Sequence, residues 1–181
     1  MLVGHWAHNQ LGNILYKQKR YYEAVQEYRK AIEIDRDYLI GYYNLGSAYD
    51  ALEDKENAEK HWRFVAEHGK VKNKGKEAEE RVKGERMEIL VFVKETQPYF
   101  YARKYLGFLY IDKGLKEKAI KEFEEALKVI PSDAEIHYEL GKIYMGLENK
   151  EKAIYHFESA IKNGTKNERE AKEFLKELRK K

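Results

Sequence analysis

LGNILYKQKRYYEAVQEYRKAI (residues 11–32) returns as LGSAYDALEDKENAEKHWRFVA (45–66), LGFLYIDKGLKEKAIKEFEEAL (106–127) and LGKIYMGLENKEKAIYHFESAI (140–161). The pairs Leu11-Gly12 and Leu45-Gly46 stand 34 residues apart, as do Leu106-Gly107 and Leu140-Gly141. Three residues after each glycine come Leu15, Tyr49, Tyr110 and Tyr144. Ala24, Ala58, Ala119 and Ala153 follow, each with an aromatic four residues on: Tyr28, Trp62, Phe123 and Phe157. Ala31, Val65, Ala126 and Ala160 close the pattern. A fixed period of this length is the mark of supersecondary units stacked in a row.

Each unit reads as two antiparallel helices, the breaks between them predicted at Lys17–Arg20, Leu52–Glu56, Asp112–Leu115 and Leu147–Lys150. The second helices carry an apolar stripe at helical spacing, for example Ala119, Ile120, Phe123, Ala126, Leu127 and Ile130. Glycine and alanine stand where backbones must approach, and the large rings fill the holes between them. One such hairpin cannot bury its apolar face alone, so neighbouring units must stack. A longer period overlies the first: Leu11 and Leu106, Leu45 and Leu140, and Gly69 and Gly164 are each 95 residues apart. Charged segments, 74–86 and 167–181, follow each pair of units and suit the polar outer face of a cap. Residues 70–94 and 166–181 carry +3 each while 1–69 carry −2 and 95–165 carry −1, so the basic excess lies wholly in these segments.

The pattern resembles the tetratricopeptide repeat, W-x2-L-G-x2-Y…A-x3-F…P with period 34, over about three-quarters of the chain. It departs from that family in having Leu15 for a tyrosine, Val65 for an alanine, and His8, Tyr42, Arg103 or His137 at the leading tryptophan position. Only the third unit ends in the expected proline, Pro131. The resemblance implies an all-α superhelix (solenoid) of four helix-turn-helix repeats in two pairs, each pair followed by a charged helix. The corresponding boundaries are 5–71 for the first two repeats, 72–98 for a linker helix, 99–166 for the third and fourth repeats, and 167–181 for a capping helix. It further implies a non-catalytic scaffold that binds a peptide segment or helix of an unidentified protein in a concave groove lined by the first helix of each repeat. By correspondence the groove presents Trp6, Asn9, Asn13, Tyr16, Tyr43, Asn44, Ser47 and Asp50 in the first half. In the second half it presents Tyr101, Lys104, Phe108, Tyr138, Lys142 and Met145. Rings supply contact area there, and amides match the donors and acceptors of an extended backbone. The carboxylate clamp of some family members is only half matched. Its slots read Asn9, Asn13, Asn44, Lys74 and Ala78, which removes most of the positive field a carboxylate needs.

Composition narrows the alternatives. The 181 residues hold 35 basic against 32 acidic side chains, too even for a nucleic-acid binder; the basic linker and C-terminal helix remain the alternative surface for one. The absence of cysteine excludes disulfides, thiol nucleophiles and cysteine-ligated metal. No apolar run is long enough to span a bilayer and the first residues lack a signal-peptide pattern, so a cytoplasmic protein without membrane contact is expected. Abundant Lys and Glu with sparse Asn and Gln are a thermophile's bias. His5 and His8 lie three apart on the first helix but lack further ligands at metal-binding spacing. His61 and His156, at equivalent places, are expected on the repeat surface, and His137 to pack in an aromatic's slot. No Ser-His-Asp set or phosphate loop is recognisable, and Glu79-Glu80 and Glu124-Glu125 read as solvated helix faces. No enzyme activity, metal or cofactor is expected. The most apolar stretch, Met87–Val93, has strand propensity but helical surroundings, and a helix continuing from residues 74–86 is preferred. Ile89, Leu90, Val91, Phe92 and Val93 cannot all face one neighbour on a helix, which marks them as a seam or a homodimer contact.

Overall fold

A computed structural model describes residues 3–69 and 86–180, with only the backbone described for Val3 and residues 86–96. Among the described residues there are nine α-helices and no strand. They are α1 (Val3–Lys17), α2 (Tyr21–Ile34), α3 (Leu39–Ala51), α4 (Lys55–His68), α5 (Arg86–Asp112), α6 (Lys116–Leu127), α7 (Ala134–Gly146), α8 (Lys150–Lys162) and α9 (Glu168–Lys180). The fold is an all-α helical-repeat fold of the solenoid class. Contacts divide the chain into two units, Met1–Leu109 and Tyr110–Lys181, the division falling within α5. In the first, α1 packs on α2, α2 on α3 and α3 on α4; in the second, α6 packs on α7, α7 on α8 and α8 on α9.

The small residues of the period lie in the core. Ala24, Ala58, Ala119, Ala153, Ala31, Val65, Ala126 and Ala160 are all fully buried, and the rings Tyr28, Trp62, Phe123 and Phe157 are buried beside them. Spacings of four and then three residues put each alanine–ring–alanine set on one helix face. The glycine of the Leu-Gly pair admits the ring. A Cβ on Gly12, Gly46 or Gly141 would lie 2.5, 2.6 or 2.7 Å from the ring of Tyr28, Trp62 or Phe157 respectively.

The leucine beside that glycine does not behave uniformly. Leu45, Leu106 and Leu140 are fully buried, whereas Leu11 is 44% exposed. Leu11 is on the first helix, and among the described residues no preceding helix covers the face that it shares with the other three.

The breaks within each hairpin share one backbone solution. Lys19, Glu53, Gly114 and Glu148, at the same place in the repeat, all take positive φ, at 61°, 62°, 71° and 57°. Each closes its helix with the same bond pair: Lys19 N–H to Tyr16 O and Arg20 N–H to Leu15 O, then the equivalents at Glu53/Asp54, Gly114/Leu115 and Glu148/Asn149. This is the Schellman closure, which satisfies carbonyls the helix end would otherwise orphan. Only one of the four positions holds the residue suited to it, glycine. Lys19→Gly, Glu53→Gly and Glu148→Gly should therefore each stabilise by about 1 kcal/mol, and Gly114→Ala should destabilise by at least as much. Thermal melts of the single and triple variants check this.

Helix α5 contains Pro98 in its interior and continues through it. An interior proline removes one backbone bond and ordinarily bends or ends a helix. Here Pro98 is buried, as are Tyr99, Phe100, Ala102 and Leu106 behind it, and that packing outweighs the lost bond. Residues 87–95 are thus helical backbone within α5. Their side chains, and the apolar contact expected of Ile89–Val93, lie outside the described residues, as do Lys74, Ala78 and the charged segment 74–85. Helix α9 lays Ala171 and Leu175 inward and brings Phe174 to 5.2 Å from Phe157. No helix among the described residues is long and apolar enough to cross a membrane.

Candidate functional site

A stripe along α1 joins Trp6, Gln10, Asn13 and Lys17, residues three and four apart that share one face of the helix. It faces Tyr43, Asn44, Ser47 and Asp50 of α3, and Tyr105 of α5 stands beyond. Together they enclose a cleft of about 690 Å³. Trp6 is 56% exposed at its rim. Two rings from the second helices, Tyr28 and Trp62, reach past Gly12 and Gly46 to form part of its wall.

Amides stitch α1 to α3 along the cleft. Asn44 Nδ2 donates to Asn9 Oδ1 at 2.8 Å and to Asn13 Oδ1 at 3.2 Å. Tyr28 Oη donates to Asn13 Oδ1 at 2.8 Å, and Asn13 Nδ2 to Gln10 Oε1 at 3.1 Å. Asn9, only 4% exposed, is committed to this network. Asn44→Ala would leave Asn9 Oδ1 buried without its donor, and should cost about 1–3 kcal/mol in a denaturant melt. Loss of binding in an Asn13 or Asn44 variant thus has to be read against loss of stability.

The cleft is close to electrically neutral. Asp50 is held by Lys55 at 2.5 Å, and among the described residues Lys17 is the one cation lining the cleft. Burial is the main cause that raises the Tyr16 hydroxyl, with Tyr21 and Asp50 adding to it; burial likewise raises Tyr43, with Tyr105 next. Both stay neutral hydrogen-bonding groups at physiological pH. An aromatic cluster continues the wall: Tyr43 lies 6.1 Å from Tyr101 and 6.4 Å from Tyr105, and Tyr105 stacks on Trp62 at 5.3 Å.

Of the groove residues expected from the sequence, Trp6, Asn13, Tyr16, Tyr43, Asn44, Ser47 and Asp50 line this cleft. Tyr101 contributes to the cluster behind it, and Lys104 sits over the Phe100 ring at 5.8 Å. Phe108 is half-buried on the same helix. In the second unit Tyr138 is buried edge-on to Phe157, burial and then Glu170 of α9 raise its hydroxyl, and Lys142 lies over its ring while pairing with Glu139. Met145 is half-buried. Gln10, Ile14, Lys17, Tyr28, Trp62 and Tyr105 line the cleft as well and are not among the expected residues. Gln10 and Tyr105 are 95 residues apart, so the duplication marks them as equivalent.

A second column of residues links the two helices in three of the hairpins. The position four before the glycine meets the residue 19 further on: His8 with Glu27 at 2.6 Å, Tyr42 with His61 at 6.0 Å between rings, and His137 with His156 at 2.9 Å. His156 is buried, contrary to the surface position expected of it, because it fills this internal slot; His61 is half-buried. Each stacks on the tyrosine of its repeat, His61 on Tyr49 at 5.6 Å and His156 on Tyr144 at 5.5 Å. His137 Nε2 lies 2.9 Å from Pro131 O, which can only accept, so His137 carries its hydrogen there and receives one from His156 Nδ1. Burial, then His137 and Lys152, lowers the His156 imidazole to about 4; burial, then Lys60 and Arg29, lowers His61 to about 4. His5 lies 4.0 Å from Asp35 and edge-on to Tyr38, facing a different neighbour from His8. Among the described residues no group of three or more His, Cys, Asp or Glu is placed to hold a metal. Glu124 accepts from the Tyr144 hydroxyl and Glu125 pairs with Lys128, so the two carboxylates have separate partners. On α9, Lys172 pairs with Glu168, Arg169 with Glu173, and Arg179 with Glu158 of α8.

Family models described as "TPR repeat" match residues 12–52 and 107–148, and one described as "Tetratricopeptide repeat" matches 134–167. The chain belongs to the tetratricopeptide repeat family. Crystal structures of members share its fold. MamA is 20% identical over 93% of this chain and 81% of its own, with a TM-score of 0.64. MamA from Desulfovibrio magneticus RS-1, residue 41 to the end, is 17% identical over 97% and 83%, with a TM-score of 0.68. A chain of the APC/C hetero-tetramer Cut9–Hcn1 is 17% identical over 96% of this chain and 29% of its own, with a TM-score of 0.63. No curated protein matches the sequence of this tetratricopeptide repeat chain.

Proposed function

We propose that this protein is a non-catalytic interaction scaffold, in the cytoplasm, that holds a peptide segment of a partner protein in the cleft between α1, α3 and α5. The observation that carries this reading is the cleft itself. It is a concavity of about 690 Å³ whose wall combines aromatic rings with amides and neutral hydroxyls, and whose charges nearly cancel. That chemistry suits an uncharged main chain and its apolar side chains better than a phosphate backbone, which demands clustered cations. Family membership supports the general role, since tetratricopeptide repeats serve as binding surfaces whose partners are set by the residues on the concave side.

The test is selection of a display library of random linear peptides on the immobilised protein. Recovered peptides should bind at one site and be displaced from it by one another. Ser47→Trp, which fills the cleft from α3, should abolish their binding while leaving the helical circular dichroism unchanged. Peptides that bind the folded Ser47→Trp variant as well as the wild type would contradict the reading.

A further inference from the structure

The ring that passes beneath the Leu-Gly glycine is tyrosine, tryptophan or phenylalanine, and the three differ in what they deliver to the inner face. Phe157 delivers nothing polar. Tyr28 delivers its hydroxyl, which Asn13 Oδ1 accepts at 2.8 Å. Trp62 delivers an indole N–H, and this one has no partner among the described residues although Trp62 is only 3% exposed. A buried donor left unmade is expensive, and native proteins keep few of them. Packing does not account for it, because phenylalanine fills the same slot fully buried at Phe123 and Phe157.

Trp62 lines the cleft, and the ring stacked on it is exposed on its other side. Tyr105 stacks on its indole at 5.3 Å with an interplanar angle of 21° and is itself exposed. On the lining of the same cleft, both amide hydrogens of Asn44 are spent on Asn9 and Asn13, which leaves Asn44 Oδ1 as an acceptor. One donor and one acceptor lining one cleft match the alternating C=O and N–H of an extended chain. We infer that Trp62 Nε1–H is kept for a main-chain carbonyl of the bound peptide, reached when the Tyr105 ring swings aside, while Asn44 Oδ1 accepts one of its N–H groups. The partner segment is therefore extended and uncharged, read through its backbone rather than through a terminal carboxylate. This rests on the cleft being the binding site.

A peptide recovered from the random linear library serves as the probe. Trp62→Phe should keep the fold, as Phe123 and Phe157 show the slot accepts the ring, and should bind the probe about tenfold more weakly, the worth of roughly one neutral hydrogen bond. Replacing Trp62 by benzothienylalanine, which keeps the bicyclic shape but has sulfur for the N–H, should weaken binding equally and so separates the donor from packing. In the Trp6→Phe variant Trp62 is the sole tryptophan, and its emission should shift on binding. Amidating the probe's C-terminus should leave affinity unchanged. Wild-type affinity in the benzothienyl protein, an emission indifferent to the probe, or loss of binding on amidation would each overturn the inference with the cleft reading intact. Failure of the wild type to enrich any peptide would overturn both.

Discussion

Phe157→Ala should cost about 3–5 kcal/mol, most of the stability expected of a unit the size of Tyr110–Lys181. The ring is fully buried between Gly141, Tyr138 and Phe174, so its removal opens a cavity on α7, α8 and α9 at once. Leu140→Ala beside it should cost about 2–5 kcal/mol. Leu11→Ala, at the same position of the repeat, should cost less than about 1 kcal/mol because nearly half of Leu11 already meets solvent. Equilibrium denaturant melts of the three variants check the contrast. Equal losses at Leu11 and Leu140 would mean that the face of Leu11 is covered.

Acid should destabilise the protein well before its carboxylates titrate. His156 has its folded-state value lowered from 6.5 to about 4, so the native state binds fewer protons than the unfolded chain between those values. Its contribution is complete above pH 6.5 and is lost as pH falls toward 4. His61 acts in the same direction in the other unit. For His156 the loss is on the order of 2 kcal/mol, once solvent screening reduces what the gap between its folded and unfolded values would give in full. Burial of the imidazole is the main cause, because it penalises the charged form, and His137 and Lys152 add to it. His156→Gln keeps a donor toward His137 but removes the titration, and should flatten the stability curve between pH 6.5 and 4 relative to wild type. A wild-type curve already flat over that range would contradict the lowered His156 value.

The fold was legible because the residues that make it recur. Leu-Gly, the alanines and the rings stand at one spacing, and their burial follows that spacing almost residue for residue. Leu11 escapes the rule because periodicity records a position but not its neighbour. The turns were legible as breaks and not as conformations. Lys19, Glu53 and Glu148 adopt the left-handed turn that the closing bonds impose, and nothing in a lysine or glutamate announces it. The histidine column was missed for a similar reason: a contact 19 residues away across a hairpin is visible only once the two helices are paired, and so His156 read as surface. In the cleft, the repeat register places Trp6, Asn13 and Tyr16 of α1 and Tyr43, Asn44, Ser47 and Asp50 of α3 on the lining, while Gln10, Ile14 and Lys17 of α1 join them unannounced. The contribution of α5 came one residue out, at Tyr105 rather than Lys104, and Trp62 read as core when it also forms a wall.

Recording ¹H–¹⁵N correlation spectra during titration with a selected peptide tests the central claim most directly. The protein has two tryptophans, Trp6 at the rim and Trp62 in the wall, so the indole region holds two resonances that both belong to the cleft. The expected result is that both move, together with the side-chain amides of Asn13 and Asn44. If both indoles stay fixed while shifts gather on α9 or on the outer face of α4, the partner binds elsewhere and the cleft is not the site.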